Sequence, residues 1–282
     1  MISRLDDPGL QGPAAPLRTE ALEVTYPNGT RALQRTTLQF EQGSFTILLG
    51  PSGAGKSSLL RSLNGLVKPT GGRVVAESIG DLAQSDALRR HRRQTGMIFQ
   101  HHHLIGRLSV LANVLVGRLG YHSPLAALRP WSNREKLMAL AAIERVGLIE
   151  HALQRADQLS GGQQQRVGIA RALVQQPRVL LADEPVASLD PATAERVLTL
   201  LRDICTRDGL TAVVSLHQVD LARRFGERIL GLRSGAVVFD GTAGQLSAAQ
   251  ADSLYRQPGT PAVAPSSSPA VPAYIEHTGV LS

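Results

Sequence analysis

Gly50-Pro51-Ser52-Gly53-Ala54-Gly55-Lys56-Ser57 is the stretch whose residue types and spacing specify chemistry most directly. Glycines at 50, 53 and 55 allow a tight turn in which successive backbone N–H groups converge on one point, where phosphate oxygens can accept them. Lys56 brings a compact cation to the outer phosphates, and Ser57 offers a hydroxyl to a magnesium ion. The pattern G-x-x-x-x-G-K-[ST] carries this meaning where it joins a strand to a helix. Phe45–Leu49 reads as a buried strand and the residues from Ser58 to Asn64 have helical spacing, so the context is met. Lysine occurs at only three positions, 56, 68 and 136, while arginine serves as the general cation. A lysine retained at 56 therefore has a specific task. Nucleoside triphosphate binding is the expectation.

Leu159-Ser160-Gly161-Gly162-Gln163 offers a second anion cradle. It precedes a helix read over Gln164 to Gln175, and free N–H groups at a helix start, with the positive end of the dipole, attract anions. If one nucleotide filled both cradles of a monomer, the two would lie side by side. In the other arrangement each cradle faces its counterpart on a second copy, enclosing two nucleotides in a two-fold dimer. Spacing alone leaves both open.

Val179-Leu-Leu-Ala-Asp183-Glu184-Pro185 is a buried strand ending in two carboxylates. Strand alternation sends their side chains to opposite sides, which implies separate roles. Asp183 suits a magnesium shell, and Glu184 suits polarising the water that attacks a γ-phosphate. Gln100 follows the apolar strand Thr95–Phe99 and can reach a metal or water at its end. His217 follows the strand Thr211–Ser215 on the same sheet edge, within reach of a γ-phosphate, although a structural role also fits. Asp190, in Ser188-Leu189-Asp190-Pro191, has the position of a helix N-cap, which competes with any site role. Tyr26 stands at a strand end before the turn Pro27-Asn28-Gly29-Thr30; strand packing would equally account for it. His101-His102-His103 looks like a metal cluster, but neighbouring side chains point apart and no further ligand lies at zinc-site spacing.

These residues need an α/β scaffold. Strands from Ala21 to Tyr26 and Thr36 to Phe40 form an antiparallel β unit before the nucleotide core. Helices read at Ser109–Gly117, Ser132–Val146 and Ile149–Arg155 form a helical insertion over about 105–160, with Ser132 and Glu135 spaced as a capping box. Residues 1–19 and 258–282 are Pro-, Gly-, Ala- or Ser-rich and read as a flexible N-terminal and a disordered C-terminal tail, leaving 20–250 as one domain. The 282 residues carry 43% hydrophobic content, one cysteine (Cys205) and no apolar run long enough to span a membrane. A chain without an internal disulfide, cytoplasmic or held on a membrane by partners, is expected. The net charge of +7 suits an acidic surface, yet aromatics at 4% are too few for a base-stacking platform, and no nucleic-acid partner is expected.

Taken together, Tyr26, the loop 50–57, Gln100, the signature 159–163, the acidic strand end, Ser188-Leu-Asp190 and His217 resemble, in order and spacing, the ATP-binding subunit of ATP-binding cassette (ABC) transporters. The resemblance spans residues 20–250. It implies a RecA-like P-loop NTPase core with the antiparallel β subdomain and helical subdomain above, and ATP with Mg²⁺ as ligands. By resemblance, Tyr26 stacks on adenine, and Gly50 to Ser58 hold the phosphates. Gln100 joins Ser57 and Asp183 around the metal and senses the membrane partner. Ser160, Gly161 and Gly162 contact ATP bound to the other copy, which selects the homodimer; Gln163 and Asp190 are also nucleotide-binding, and Glu184 and His217 are catalytic. A narrower resemblance to bacterial phosphonate-import ATPases lies in the 99–105, 158–171 and 182–190 stretches and in Leu216-His-Gln-Val-Asp-Leu-Ala222. It implies two transmembrane permease subunits, a periplasmic binding protein and a place on the cytoplasmic face of the inner membrane. Import of phosphate, phosphite or an amino acid, a soluble ABC-type ATPase and a P-loop kinase are the competing expectations.

Overall fold

The computed structural model describes residues 17–100, 103–123 and 129–255. Two sheets divide the strands. The first is antiparallel, built from β1 (Leu17–Thr25), β2 (Arg31–Phe40), β4 (Gly71–Ala76) and the short β5 (Gly80–Asp81), in the order β2-β1-β4-β5. β1 starts inside the segment expected to be tail. Leu17 is fully buried and pairs with Phe40 on one side and Ala76 on the other, so apolar burial from both neighbours extends the strand back three residues before Glu20.

The second sheet holds β3 (Phe45–Leu49), β6 (Thr95–Ile98), β7 (Val179–Ala182), β8 (Thr211–Leu216), β9 (Arg228–Arg233) and β10 (Ala236–Gly241), ordered β10-β9-β3-β8-β7-β6. All its pairings are parallel except that of β10. Every residue of β3, β6, β7 and β8 is buried, as expected for strands covered on both faces, where apolar runs replace alternation. Because these four strands run the same way, the loops leaving β3, β8, β7 and β6 open at one edge. Ligands of open α/β sheets bind along such an edge.

The helices are α1 (Lys56–Leu63), α2 (Ser85–Arg93), α3 (Val110–Leu115), α4 (Asn133–Arg145), α5 (Gly161–Leu173), α6 (Pro191–Asp208), α7 (Val219–Phe225) and α8 (Ala248–Tyr255). α4 carries the expected capping box, with Ser132 and Glu135 each accepting the other's backbone N–H. A helix over Ile149–Arg155 does not form beyond the single 3-10 turn Ile149–His151. The backbone bonds elsewhere: Val110 N–H donates to Gln154 O and Leu111 N–H to Ala152 O, both at 2.9 Å. Those cross-chain bonds replace the i→i−4 ladder. Before α8, Ser247 and Gln250 have capping-box spacing, and Ser247 Oγ accepts the Gln250 N–H at 3.2 Å.

One buried histidine ties α2 to the end of α1. His91 is 2% exposed and its Nε2–H donates to Leu63 O at 2.9 Å. Burial pushes its pKa down to about 4, an effect that the bond to Leu63 opposes and the Arg92 charge reinforces. In the unfolded chain the ring protonates near pH 6.5. Between that value and about pH 4 the unfolded state therefore binds the extra proton, and acid destabilises the fold. This group should remove about 3 kcal/mol of unfolding free energy as pH falls across that window. Denaturant titrations of a His91→Gln variant are expected to show a shallower loss than wild type between pH 6.5 and 4. Parallel curves would remove His91 as the source.

Candidate active site

The phosphate loop leaves β3 at Gly50 and enters α1 at Lys56. Gly55, the N-cap, has φ +105°, and a Cβ there would lie 2.5 Å from the Ala32 carbonyl oxygen. A residue with a side chain would thus meet both backbone strain and a clash. Lys56 is 3% exposed. Its Nζ donates to the carbonyls of Gly50 (2.7 Å) and Pro51 (3.0 Å) and lies 3.3 Å from Glu184 Oε1. The cation is held over its own loop by neutral oxygens and one carboxylate, all of which phosphate oxygens could replace. Ser52 and Gly53 are exposed at the loop tip, whereas Ala54 is packed beneath it.

Asp183 follows the last residue of β7 and is 2% exposed. Ser57 Oγ donates to its Oδ1 at 2.7 Å, Ser215 Oγ donates to the same oxygen at 3.1 Å, and Arg61 approaches Oδ2 at 3.7 Å. Ser57 and Asp183 thereby form a pair of hard oxygen donors, the chemistry that suits a magnesium ion which keeps part of its shell as water or phosphate. Among the described residues no group of three or more His, Cys, Asp or Glu could hold a metal by itself.

Glu184 does not point away from Asp183 as strand alternation implied. β7 ends at Ala182, and Glu184 takes a left-handed φ of +46° that its backbone bond to Ser215 Oγ (2.8 Å) holds in place. The two carboxylates therefore both face the phosphate loop, Asp183 toward Ser57 and Glu184 toward Lys56. Tyr26 is half-buried, with its hydroxyl 3.1 Å from Ser58 Oγ, at the first turn of α1. Gln100 is exposed after β6, and His217 is exposed after β8. His101 and His102 lie outside the described residues. His103 sets its ring edge-on to Phe99 at 5.2 Å.

The second cradle differs in detail from expectation. α5 begins at Gly161, so both signature glycines belong to its first turn rather than preceding it. Ser160 is the N-cap: its Oγ accepts Gln163 N–H at 3.3 Å, and Gln163 Oε1 accepts Ser160 N–H at 2.9 Å. This reciprocal pair starts the helix three residues early. A Cβ at Gly162 would lie 2.6 Å from Thr193 Cγ2, which brings α5 close to α6. Asp190 is the N-cap of α6, accepting from Thr193 N–H at 3.0 Å; hydrogen bonding from the Thr193 side chain first, and from that backbone N–H second, holds its carboxyl below the usual range. Ser160 to Gln163, Ser188 to Asp190, Arg166 and Arg196 line one cavity of about 790 Å³. No residue of the phosphate loop is among those lining it.

Comparison with known proteins decides the family. The ABC transporter family model matches residues 33–187. The chain belongs to the ABC transporter family. This ABC ATPase is 62% identical over 240 residues to a phosphonates import ATP-binding protein of Cupriavidus metallidurans, covering 85% of the chain and 86% of that relative. It is 57% identical over 258 residues to a phosphite import ATP-binding protein of Stutzerimonas stutzeri, covering 92% and 93% respectively. In fold it matches the dimeric structure of a bacterial ABC transporter cassette, with a TM-score of 0.70 and 36% identity over 80% of the chain and 98% of the cassette. A dimeric post-hydrolysis state of that cassette, bound to ADP and Pi, gives 0.71 and 35% over the same shares.

Ser215, Arg61 and Tyr255 were not singled out from sequence. Ser215 left one signal: a fully buried hydroxyl in an apolar strand must find a partner. It joins the Asp183 carboxylate to the Glu184 backbone. Ser215→Ala is expected to lower the unfolding free energy of this ABC ATPase by about 2 kcal/mol, because a buried acceptor loses a donor. ATP turnover should fall with it. Denaturation and steady-state hydrolysis test this, and wild-type values in both would mean that Ser215 is only filling space.

Proposed function

We propose that this ABC ATPase is the motor subunit of an importer that carries phosphonate into the cell. The observation that carries the motor reading is the convergence of Ser57 and Asp183, Lys56 and Glu184 at one end of the parallel sheet. The N–H groups of 50–57 and Lys56 would bind the ATP phosphates, Tyr26 would meet the adenine, and Ser58 would support the loop end. Ser57, Asp183 and Gln100 would hold Mg²⁺. Bound there, the ion supplies positive charge that offsets the charge developing on transferring phosphoryl oxygens.

Glu184 is half-buried and faces Lys56 in the structure. Once phosphates take Lys56, its carboxylate is free to accept a proton from attacking water. His217, at the adjoining strand end, would hold the γ-phosphate. A second copy would contribute Ser160, Gly161, Gly162 and Gln163 from the exposed start of α5, with Asp190 beside them. Support for that trans arrangement comes from the separate signature cavity and from the dimeric state of the matched cassette. Among the described residues no helix is long and apolar enough to cross a membrane. Two permease subunits would supply the channel, a periplasmic binding protein would deliver the substrate, and the ATPase would sit peripherally on the inner face.

Phosphonate is favoured by the relative that shares 62% identity. Phosphite is the second reading, favoured by the relative that matches 92% of the chain. Deletion is expected to abolish growth on a phosphonate as sole phosphorus source and spare growth on phosphate. Loss of growth on phosphite alone would move the assignment to phosphite.

Glu184→Gln should retain ATP binding while lowering turnover at least about a hundredfold, the scale of a lost general base. Ser160→Arg should block turnover without weakening ATP binding to Lys56 of the same chain. Nucleotide-binding titrations beside phosphate-release assays separate these effects. Wild-type hydrolysis in the Gln variant would remove Glu184 from the mechanism, and in the Arg variant would remove the trans cradle.

A further inference from the structure

α8 ends beside the catalytic edge of the sheet. Its Ala251 and Leu254, three residues apart, are 5% and 1% exposed and form the buried side of the helix. Leu254 approaches β9 closely: a Cβ at Gly231 would lie 2.9 Å from Leu254 Cδ2. Gly231 is the strand partner of Leu49, the residue before the phosphate loop. Arg233 Nη1 donates to Ser253 O at 2.8 Å, which fixes the last turn of α8 to the end of the same strand. The helix terminus is thus held by packing and by a hydrogen bond.

Tyr255 follows Leu254, and its hydroxyl donates to the carbonyl oxygen of His217 at 2.6 Å. Burial first, and the negative charge of Glu184 second, push the phenol up to about 12, so it remains a donor at neutral pH. The second cause also places the carboxylate of Glu184 within electrostatic reach of the ring. His217 lies between the end of β8 and the start of α7, where neither ladder fixes it. Among the described residues its imidazole has no hydrogen-bond partner, so the place of the backbone, from which the Cα–Cβ bond starts, is the part of its position that a hydrogen bond fixes.

We propose that Tyr255 is a positioning residue for ATP hydrolysis: α8 delivers its hydroxyl to the His217 backbone and so holds that imidazole at the nucleotide site. The inference rests on the reading of His217 as the γ-phosphate contact. It assigns to a helix outside the P-loop, signature and acidic motifs a direct hold on the catalytic edge.

Tyr255→Phe keeps the ring and the packing of α8 and removes only the donor. In the full-length chain it is expected to lower kcat about five- to tenfold, the scale of one well-placed hydrogen bond, with KM for ATP within about twofold of wild type. Leu254→Ala, which loosens the helix and leaves the phenol intact, should lower kcat in the same way. In a His217→Ala background, Tyr255→Phe should add no further loss to the residual rate. An unchanged kcat in Tyr255→Phe while His217→Ala is impaired would overturn the positioning role alone. A full additional loss in the His217→Ala background would also overturn it. Wild-type turnover in His217→Ala would remove the underlying reading and this inference together.

Discussion

A buried carboxylate at the end of β7 organises the site. Asp183 is 2% exposed, and a charge withdrawn from water to that degree must be compensated locally. Three elements meet to do so: α1 through Ser57 and Arg61, β8 through Ser215, and β7 itself. Ser215 then accepts the Glu184 N–H, so compensation of one acid fixes the backbone of the next. The left-handed Glu184 follows from this arrangement, and its side chain turns to Lys56. A cost of burial is thereby converted into the placement of four site residues.

Much of the fold was legible because its signals are local. The apolar run Phe45–Leu49, the glycines of the loop and the Ser132–Glu135 capping box each act within a few residues, and each has its expected place in the structure. The differences arise where distant partners decide. Leu17 enters β1 because Phe40 and Ala76 flank it, and residues 151–155 leave the helix because α3 takes their carbonyls. Ser160 and Gln163 show the converse case: a local capping box was present in the sequence, yet the glycines between obscured the helix start. For the acidic pair, alternation was applied one residue past the strand. No sequence period describes a residue whose φ is held by a serine thirty-one positions away.

The two cradles are built by different physics. At the phosphate loop the backbone turns on glycines against the carbonyls of neighbouring strands, and the buried Lys56 ammonium bonds to the loop's own carbonyls. At Ser160 the first N–H groups of an ordinary helix stand at an exposed surface, and the cap leaves the Gly161 and Gly162 donors outside its reciprocal bonds. The phosphate loop adds a buried lysine to its N–H groups. An exposed helix start offers weak attraction until another surface excludes water from it. A cradle of that kind would gain strength from a second surface that brings the anion and closes the gap.

α5 links these surfaces. Its first turn presents the signature, while its last residues pack on β6, where a Cβ at Gly96 would lie 3.1 Å from Ala172 Cβ and 3.2 Å from Ala172 O. From the other side, a Cβ at Gly117 would lie 2.3 Å from Arg171 O. Such close approach leaves little room for the C-terminal half of α5 to shift against β6 without disturbing its neighbours. β6 leads toward Gln100, and Gly117 lies just after α3. A force applied around Gly117 would therefore reach the strand before Gln100 and the signature through one packed helix. The rigid element between them is short, thirteen residues, and both of its ends are committed. Movement of the surface around Gly117 relative to the signature would then depend on rotating α5 with its neighbours as a body, rather than on deforming the helix itself.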